Sequence, residues 1–167
     1  MHRSPIIVAV AALLALAGCG EDVPTITIEE GVPGNADQKS VRVIEDWAGA
    51  LADGKVEKAA SYFAIPSVVA NGSSPVRIRD RSDAETFNES LPCGAELVEA
   101  EGHAGFILAT FELKERPGPG RCGTGTGETA GTAFRIEGGE IAEWRRIPVP
   151  GEGGEGGGAE PLPSDVV

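Results

Sequence analysis

Between residues 41 and 51 apolar positions recur at a helical spacing, and over most of the later chain they change to a two-residue alternation. Val41, Ile44, Trp47, Ala48 and Leu51 fall on one stripe of a 3.6-residue repeat, with Glu45, Asp46 and Gly49 on the opposite side. Asn35 with Gln38 three residues on has the form of a capping pair, and Gly54 suits the left-handed position that closes a helix. A second short stripe, Val56, Ala59, Ala60 and Phe63, predicts another helix running to Pro66, whose ring removes an amide donor and restricts Ile65. Both helices are too short to stand alone, so each needs a sheet to cover its apolar face.

The turn cluster Asn71-Gly72-Ser73-Ser74-Pro75 separates two short apolar pieces, residues 67–70 and 76–79. Asp80, Ser82 or Asp83 then caps a third helix that ends near Ser90 before Pro92, with Ala84, Phe87 and Leu91 turned inward. Residues 95–101 and 106–113 read as antiparallel strands joined through Gly102 to Gly105. The second of these is apolar on both faces, the mark of a central strand. Residues 132–136 and 140–147 flank Gly138-Gly139, a strong hairpin signal. Strict alternation around that turn places Phe134, Ile136 and Ile141 with Glu143 and Arg145, and Trp144 with Arg135 and Arg146. Glu143 is then either an acid facing inward or a rim residue paired in solvent. Arg77, Arg79 and Arg81 alternate toward one side, as an anion site or as a solvated edge.

The two ends carry other patterns. His2 and Arg3 precede an uninterrupted apolar run at residues 6–16, too short to span a bilayer, which reads as a secretory signal over residues 1–18. It closes on Leu16-Ala17-Gly18-Cys19, which resembles the lipobox of bacterial lipoproteins and makes Cys19 the lipidation site. An acidic tether over residues 19–37, including the run Thr-Ile-Thr-Ile at 25–28, leads into a folded domain over 38–149. Residues 150–167 are Gly, Glu and Pro rich and bury too little apolar surface to order themselves. The expected location is extracytoplasmic, on a bacterial membrane.

With 26 acidic against 14 basic residues the chain has no electrostatic reason to bind nucleic acid. Cys93 and Cys122 are left as a pair in an oxidising compartment, and the strands between them bring them to one end, so a disulfide is expected. Those two cysteines with a distant His103 lack a metal-ligand spacing, and no metal is expected. The Gly-rich stretch at 117–126 lacks the Gly-Lys-Ser/Thr ending of a phosphate loop, and no cofactor is expected.

Helix, helix, strand, helix and then a long sheet, with Trp47 to Pro66, Phe111 and the hairpin Phe134-Arg135-Ile136-Glu137-Gly138-Gly139-Glu140-Ile141-Ala142-Glu143-Trp144, resembles the NTF2-like superfamily, also called SnoaL-like or cystatin-cone. The resemblance implies an α+β fold in which three helices pack on a curled antiparallel sheet around a conical pocket. Candidate pocket residues are Trp47, Phe63, Asn71, Phe87, His103, Phe111, Phe134 and Glu143. Carried over from the ketosteroid isomerases of that superfamily, the oxyanion-stabilising tyrosine falls at Trp47 and the general-base aspartate near Asn71. An indole N–H donates a hydrogen bond, but a carboxamide cannot abstract a proton at neutral pH, so no catalytic residue is assigned. The expected role is a non-enzymatic module that binds a small, partly apolar molecule or an envelope protein. The alternatives are an isomerase or dehydratase using His103 with a pocket carboxylate, and a homodimer with a filled cone.

Overall fold

A computed structural model describes residues 34–149. The apolar run with Cys19, the β-branched run at 25–28 and the acidic tail at 150–167 lie outside the described residues. A two-residue strand, β1 (Gly34–Asn35), already pairs with the sheet at Gly102 and Glu101, a little ahead of the expected domain start. Helix α1 (Gln38–Ala52) follows, and its cap is Asp37 instead of Asn35. The Asp37 carboxylate accepts from the backbone N–H of Ser40 at 3.0 Å and from its hydroxyl at 2.9 Å. Those two bonds hold its pKa below the ordinary aspartate range. Ile44, Trp47, Ala48 and Leu51 are all buried, as their spacing predicts. At the other end Gly54, at φ 71°, lets its own N–H reach Leu51 and that of Lys55 reach Ala50, a Schellman closure of the last turn.

The second helix, α2 (Val56–Ala60), is half the predicted length. The chain leaves it at Ser61, and strand β2 (Phe63–Ala70) begins where the stripe called for more helix. Three tertiary bonds decide this. The Ile141 N–H donates to Tyr62 at 2.8 Å, drawing the segment into the sheet, and Arg81 donates to the carbonyl of Ala60 and, at 3.4 Å, to that of Phe63. Phe63 stays fully buried either way. Pro66 sits at an irregularity within β2, after a cis Ile65–Pro66 bond, a place where a strand tolerates proline.

Strand β3 (Val76–Ile78) returns beside β2, and α3 (Arg81–Ser90) opens on Asp80, whose carboxylate accepts from the Asp83 N–H at 2.9 Å. The three arginines expected on one side have separate duties: Arg79 pairs with Asp83 at 2.9 Å, Arg81 takes the carbonyls ending α2, and Arg77 lies opposite Val68 in the sheet. Strands β4 (Gly94–His103), β5 (Phe106–Lys114), β6 (Thr129–Glu137) and β7 (Glu140–Ile147) complete a seven-stranded sheet in the order β1-β4-β5-β6-β7-β2-β3. All pairings are antiparallel except β2 with β7, so the curled sheet is mixed. The helices cover one face. β5 is accordingly buried at Ile107, Ala109 and Phe111 on that face, while Leu108 and Thr110 on the other are half-buried.

Cys93 and Cys122 form the expected disulfide, across 29 residues of sequence. By chain entropy, closing such a loop contributes about 3.5 kcal/mol. Glu115 organises the same segment by accepting from the N–H groups of Gly123 at 2.9 Å and Cys122 at 3.3 Å, and these bonds lower its pKa.

The closing hairpin departs from strict alternation. Gly138 and Gly139, both at positive φ, make the two-residue turn, but Ile136 pairs with Ile141 whereas Arg135 pairs with Glu143. Ala142 is an extra residue, a bulge that turns Ile141 and Trp144 to the same side. Phe134 therefore faces the core with Trp144, while Glu143 joins Arg135 and Arg145 on the reverse face.

Candidate functional site

Trp47 stands at the centre of the helix-covered face. Its ring meets Phe63, Phe111, Phe134 and Trp144 edge-on, with centroids 6.4, 6.1, 5.5 and 6.5 Å away. Edge-to-face pairs of this kind are worth about 0.5–1.5 kcal/mol each beyond the area they bury. The indole N–H is occupied: it donates to Asn88 Oδ1 at 2.9 Å, and Asn88 Nδ2 donates to the Ala84 carbonyl at 2.8 Å. A donor committed to a buried carboxamide is not available to a ligand oxygen, so the role that the isomerase comparison gives to Trp47 is closed to it.

Asn88 is completely buried and was not among the sequence candidates. It lies four residues after Ala84 and three before Leu91, so the apolar stripe of α3 passes straight through it. A lone carboxamide inside such a stripe is the signal, because only a specific partner makes that position tolerable. Arg116 extends the network. This buried guanidinium donates from Nε to the Leu91 carbonyl at 2.9 Å and from Nη2 to those of Glu89 and Asn88 at 3.1 and 3.2 Å, satisfying the last turn of α3. Burial pushes its pKa down from the usual arginine value.

Beside this cluster lies a cavity of about 240 Å³. It is lined by Trp47 and Leu51 from α1, by Leu91, Pro92 and Cys93 after α3, and by Ala95, Phe111, Leu113 and Ala130 from the sheet. Trp144, Thr132, Arg146 and the exposed Asn71 complete the lining. Trp144 Nε1 is buried and has no hydrogen-bond partner, an arrangement that costs about 1–3 kcal/mol where nothing compensates it.

No family model matches the sequence, and no curated protein matches it. Solved structures do resemble the fold. An NTF2-like protein of unknown function from Cytophaga hutchinsonii aligns at a TM-score of 0.51 and 9% identity, over 67% of this chain and 91% of that one. A de novo designed protein with a curved β-sheet aligns at 0.51 and 14% identity, over 66% of this chain and 85% of that one. An uncharacterized cystatin-fold protein from Novosphingobium aromaticivorans aligns at 0.49 and 15% identity, over 67% and 100% of the two chains. The fold is the NTF2-like cone. At these identities the likeness concerns the fold alone.

The NTF2-like cone brings three of the eight candidate residues to the cavity: Trp47, Asn71 and Phe111. Phe63 and Phe134 are fully buried and fill the core around Trp47. Phe87 packs between Phe63 and Trp144, at 5.7 and 5.1 Å. His103 ends β4 at the β4–β5 turn, in a shallow depression with Asp37, Ser40 and Ile136, away from the cavity lining.

Glu143 is neither a cavity acid nor a solvated rim residue. It is 1% exposed on the reverse face of the sheet, paired with Arg145 and with Arg135 Nη2 at 2.9 Å. The Ala142 bulge is the reason. It puts Trp144 on the cavity side, and alternation then sends both neighbours of Trp144 to the other face.

Proposed function

We propose that this NTF2-like cone is a binding module whose cavity, between Trp47 and Trp144, takes up a small, partly apolar molecule. The lining carries the reading: aromatic and aliphatic walls with a few polar groups are the composition of small-molecule sites. A binding role fits this set better than a catalytic one. A carboxamide such as Asn71 does not abstract protons, the Trp47 N–H serves Asn88, and among the described residues the lining holds no Asp, Glu or His to act as a general base. The rival isomerase or dehydratase needs His103 within hydrogen-bond reach of a bound substrate, and His103 lines a different depression.

Filling the cavity tests this. Ala130→Leu adds bulk to the lining, and it should weaken binding of an apolar probe such as toluene by tenfold or more, read as a change in tryptophan fluorescence. Unaltered binding in a variant that still melts cooperatively would place the ligand elsewhere.

The same reading places the module outside the cytoplasm, held on a bacterial membrane through acylated Cys19. The sequence Leu16-Ala17-Gly18-Cys19 supports this, and so does a disulfide, which persists in oxidising compartments. Cys19→Ser should move the protein from the membrane to the soluble fraction, and unchanged fractionation would rule the anchor out.

A further inference from the structure

We infer that the occupant of the cavity is an anion, a small carboxylate of on the order of ten non-hydrogen atoms with its acid group toward Arg146 and an apolar body against Trp47, Phe111 and Trp144. This rests on the reading of the cavity as a binding site and adds the ligand's charge and size.

The size follows from about 240 Å³ of space, reckoned against the ~30 Å³ that one water molecule occupies in the liquid. The charge follows from what lines the walls. Acidic residues outnumber basic ones 26 to 14 in this chain, yet among the described residues lining the cavity none is Asp or Glu, and Arg146 is the one that bears a charge. Chance placement in so acidic a chain would favour the opposite sign. Arg146 sits opposite Thr132 in the β6–β7 ladder, so a hydroxyl stands beside the guanidinium on the same face. Arg146 also engages the protein itself, and a guanidinium with five N–H donors can hold an internal partner and a carboxylate together.

Trp144, on the same wall and two residues before Arg146, offers its ring to the apolar body of the occupant, while its Nε1–H is buried out of reach of a water-sized group. The apolar remainder of the walls suits a ring or branched body, and their rigidity favours a flat one, since Trp47 and Phe111 are locked edge-on at 6.1 Å.

Phenylacetate and phenylacetamide have nearly the same shape and differ in charge. Titrated by tryptophan fluorescence into the folded protein at pH 7 and low salt, phenylacetate should bind at least tenfold more tightly than phenylacetamide. Arg146→Gln should bring the two within about twofold of each other. Equal affinity of the pair for the unsubstituted protein overturns the anion assignment and leaves the cavity reading standing. Absence of saturable binding by either compound overturns both. The unsubstituted protein alone decides the matter if Arg146→Gln fails to fold, and Arg146→Lys, which keeps the charge, should then retain the preference for phenylacetate.

Discussion

Glu143→Ala is expected to cost about 3–5 kcal/mol of folding stability, measured by urea denaturation, while leaving cavity binding unaltered in the protein that remains folded. The carboxylate is 1% exposed, and Arg145, its closest partner, has a side chain only 11% exposed. Bringing these charges out of water was costly, and their mutual attraction offsets that cost only while both are present. Deleting Glu143 leaves Arg145 with no counter-charge from this pair in a poorly solvated place. Arg135, at 41% exposure, can turn to solvent and so contributes less.

A companion variant separates the pair from simple packing. Glu143→Leu combined with Arg145→Met removes both charges and keeps the volume, and it should recover most of the loss, since an apolar replacement of a buried pair is often neutral or stabilising. A loss below about 1 kcal/mol in Glu143→Ala would mean that water reaches the pair. Cavity binding provides the internal control, because the bulge at Ala142 sets Glu143 on the face away from Trp144.

Trp47→Ala should be comparably damaging, at about 3–5 kcal/mol, because it empties a position that four other aromatic rings meet edge-on. Trp47→Phe keeps most of the ring and removes the donor to Asn88. Its cost should fall to about 1–3 kcal/mol, the range for leaving a buried acceptor unsatisfied. The two variants also test the site. Trp47→Ala enlarges the cavity and should shift preference toward bulkier probes, whereas Trp47→Phe should leave probe affinity within a few-fold. A large loss of affinity in Trp47→Phe would mean that the indole N–H serves the ligand after all, in place of Asn88.

Most of the elements can be read from local pattern. The stripe from Ile44 to Leu51 is buried as spaced, Asp80 caps the third helix, and Gly138-Gly139 closes the last hairpin. These are matters of period, capping chemistry and turn residues, and they act over a few residues. Phe63 shows where local pattern stops. Its spacing from Val56, Ala59 and Ala60 suits a helix, but the bond from Ile141 to Tyr62 and the donors of Arg81 hold it in a strand. The helix that ends at Ala60 does so because of residues 21 and about 80 positions further along the chain.

The candidate site divides in the same way. Trp47, Asn71 and Phe111 reach the cavity; Trp47 and Phe111 are legible from their places in a helix and a strand, Asn71 only from the resemblance to the isomerases. Asn88 and Arg116 escaped notice because a polar residue on an apolar stripe or in a loop does not name its partner until the partner's position is known, whereas alternation already sets Arg146 beside Trp144. Glu143 was misplaced by a single inserted residue. In a period-two pattern one extra residue exchanges the two faces for everything beyond it. Ile141 and Trp144, large apolar residues three apart in one strand, were the available hint, since both can face the core only across a bulge.

The sequence by itself determined the apolar faces of the first and third helices, the strand count in the second half, the turns and the pairing of Cys93 with Cys122, because each depends on short-range chemistry or on a very small number of possible partners. The tertiary structure decided the parallel entry of β2 beside β7, the register past Ala142, and the removal of the Trp47 N–H from any ligand. Those depend on which distant groups arrive at the same place, and the free energy of such meetings is settled only when the whole sheet has closed around its core.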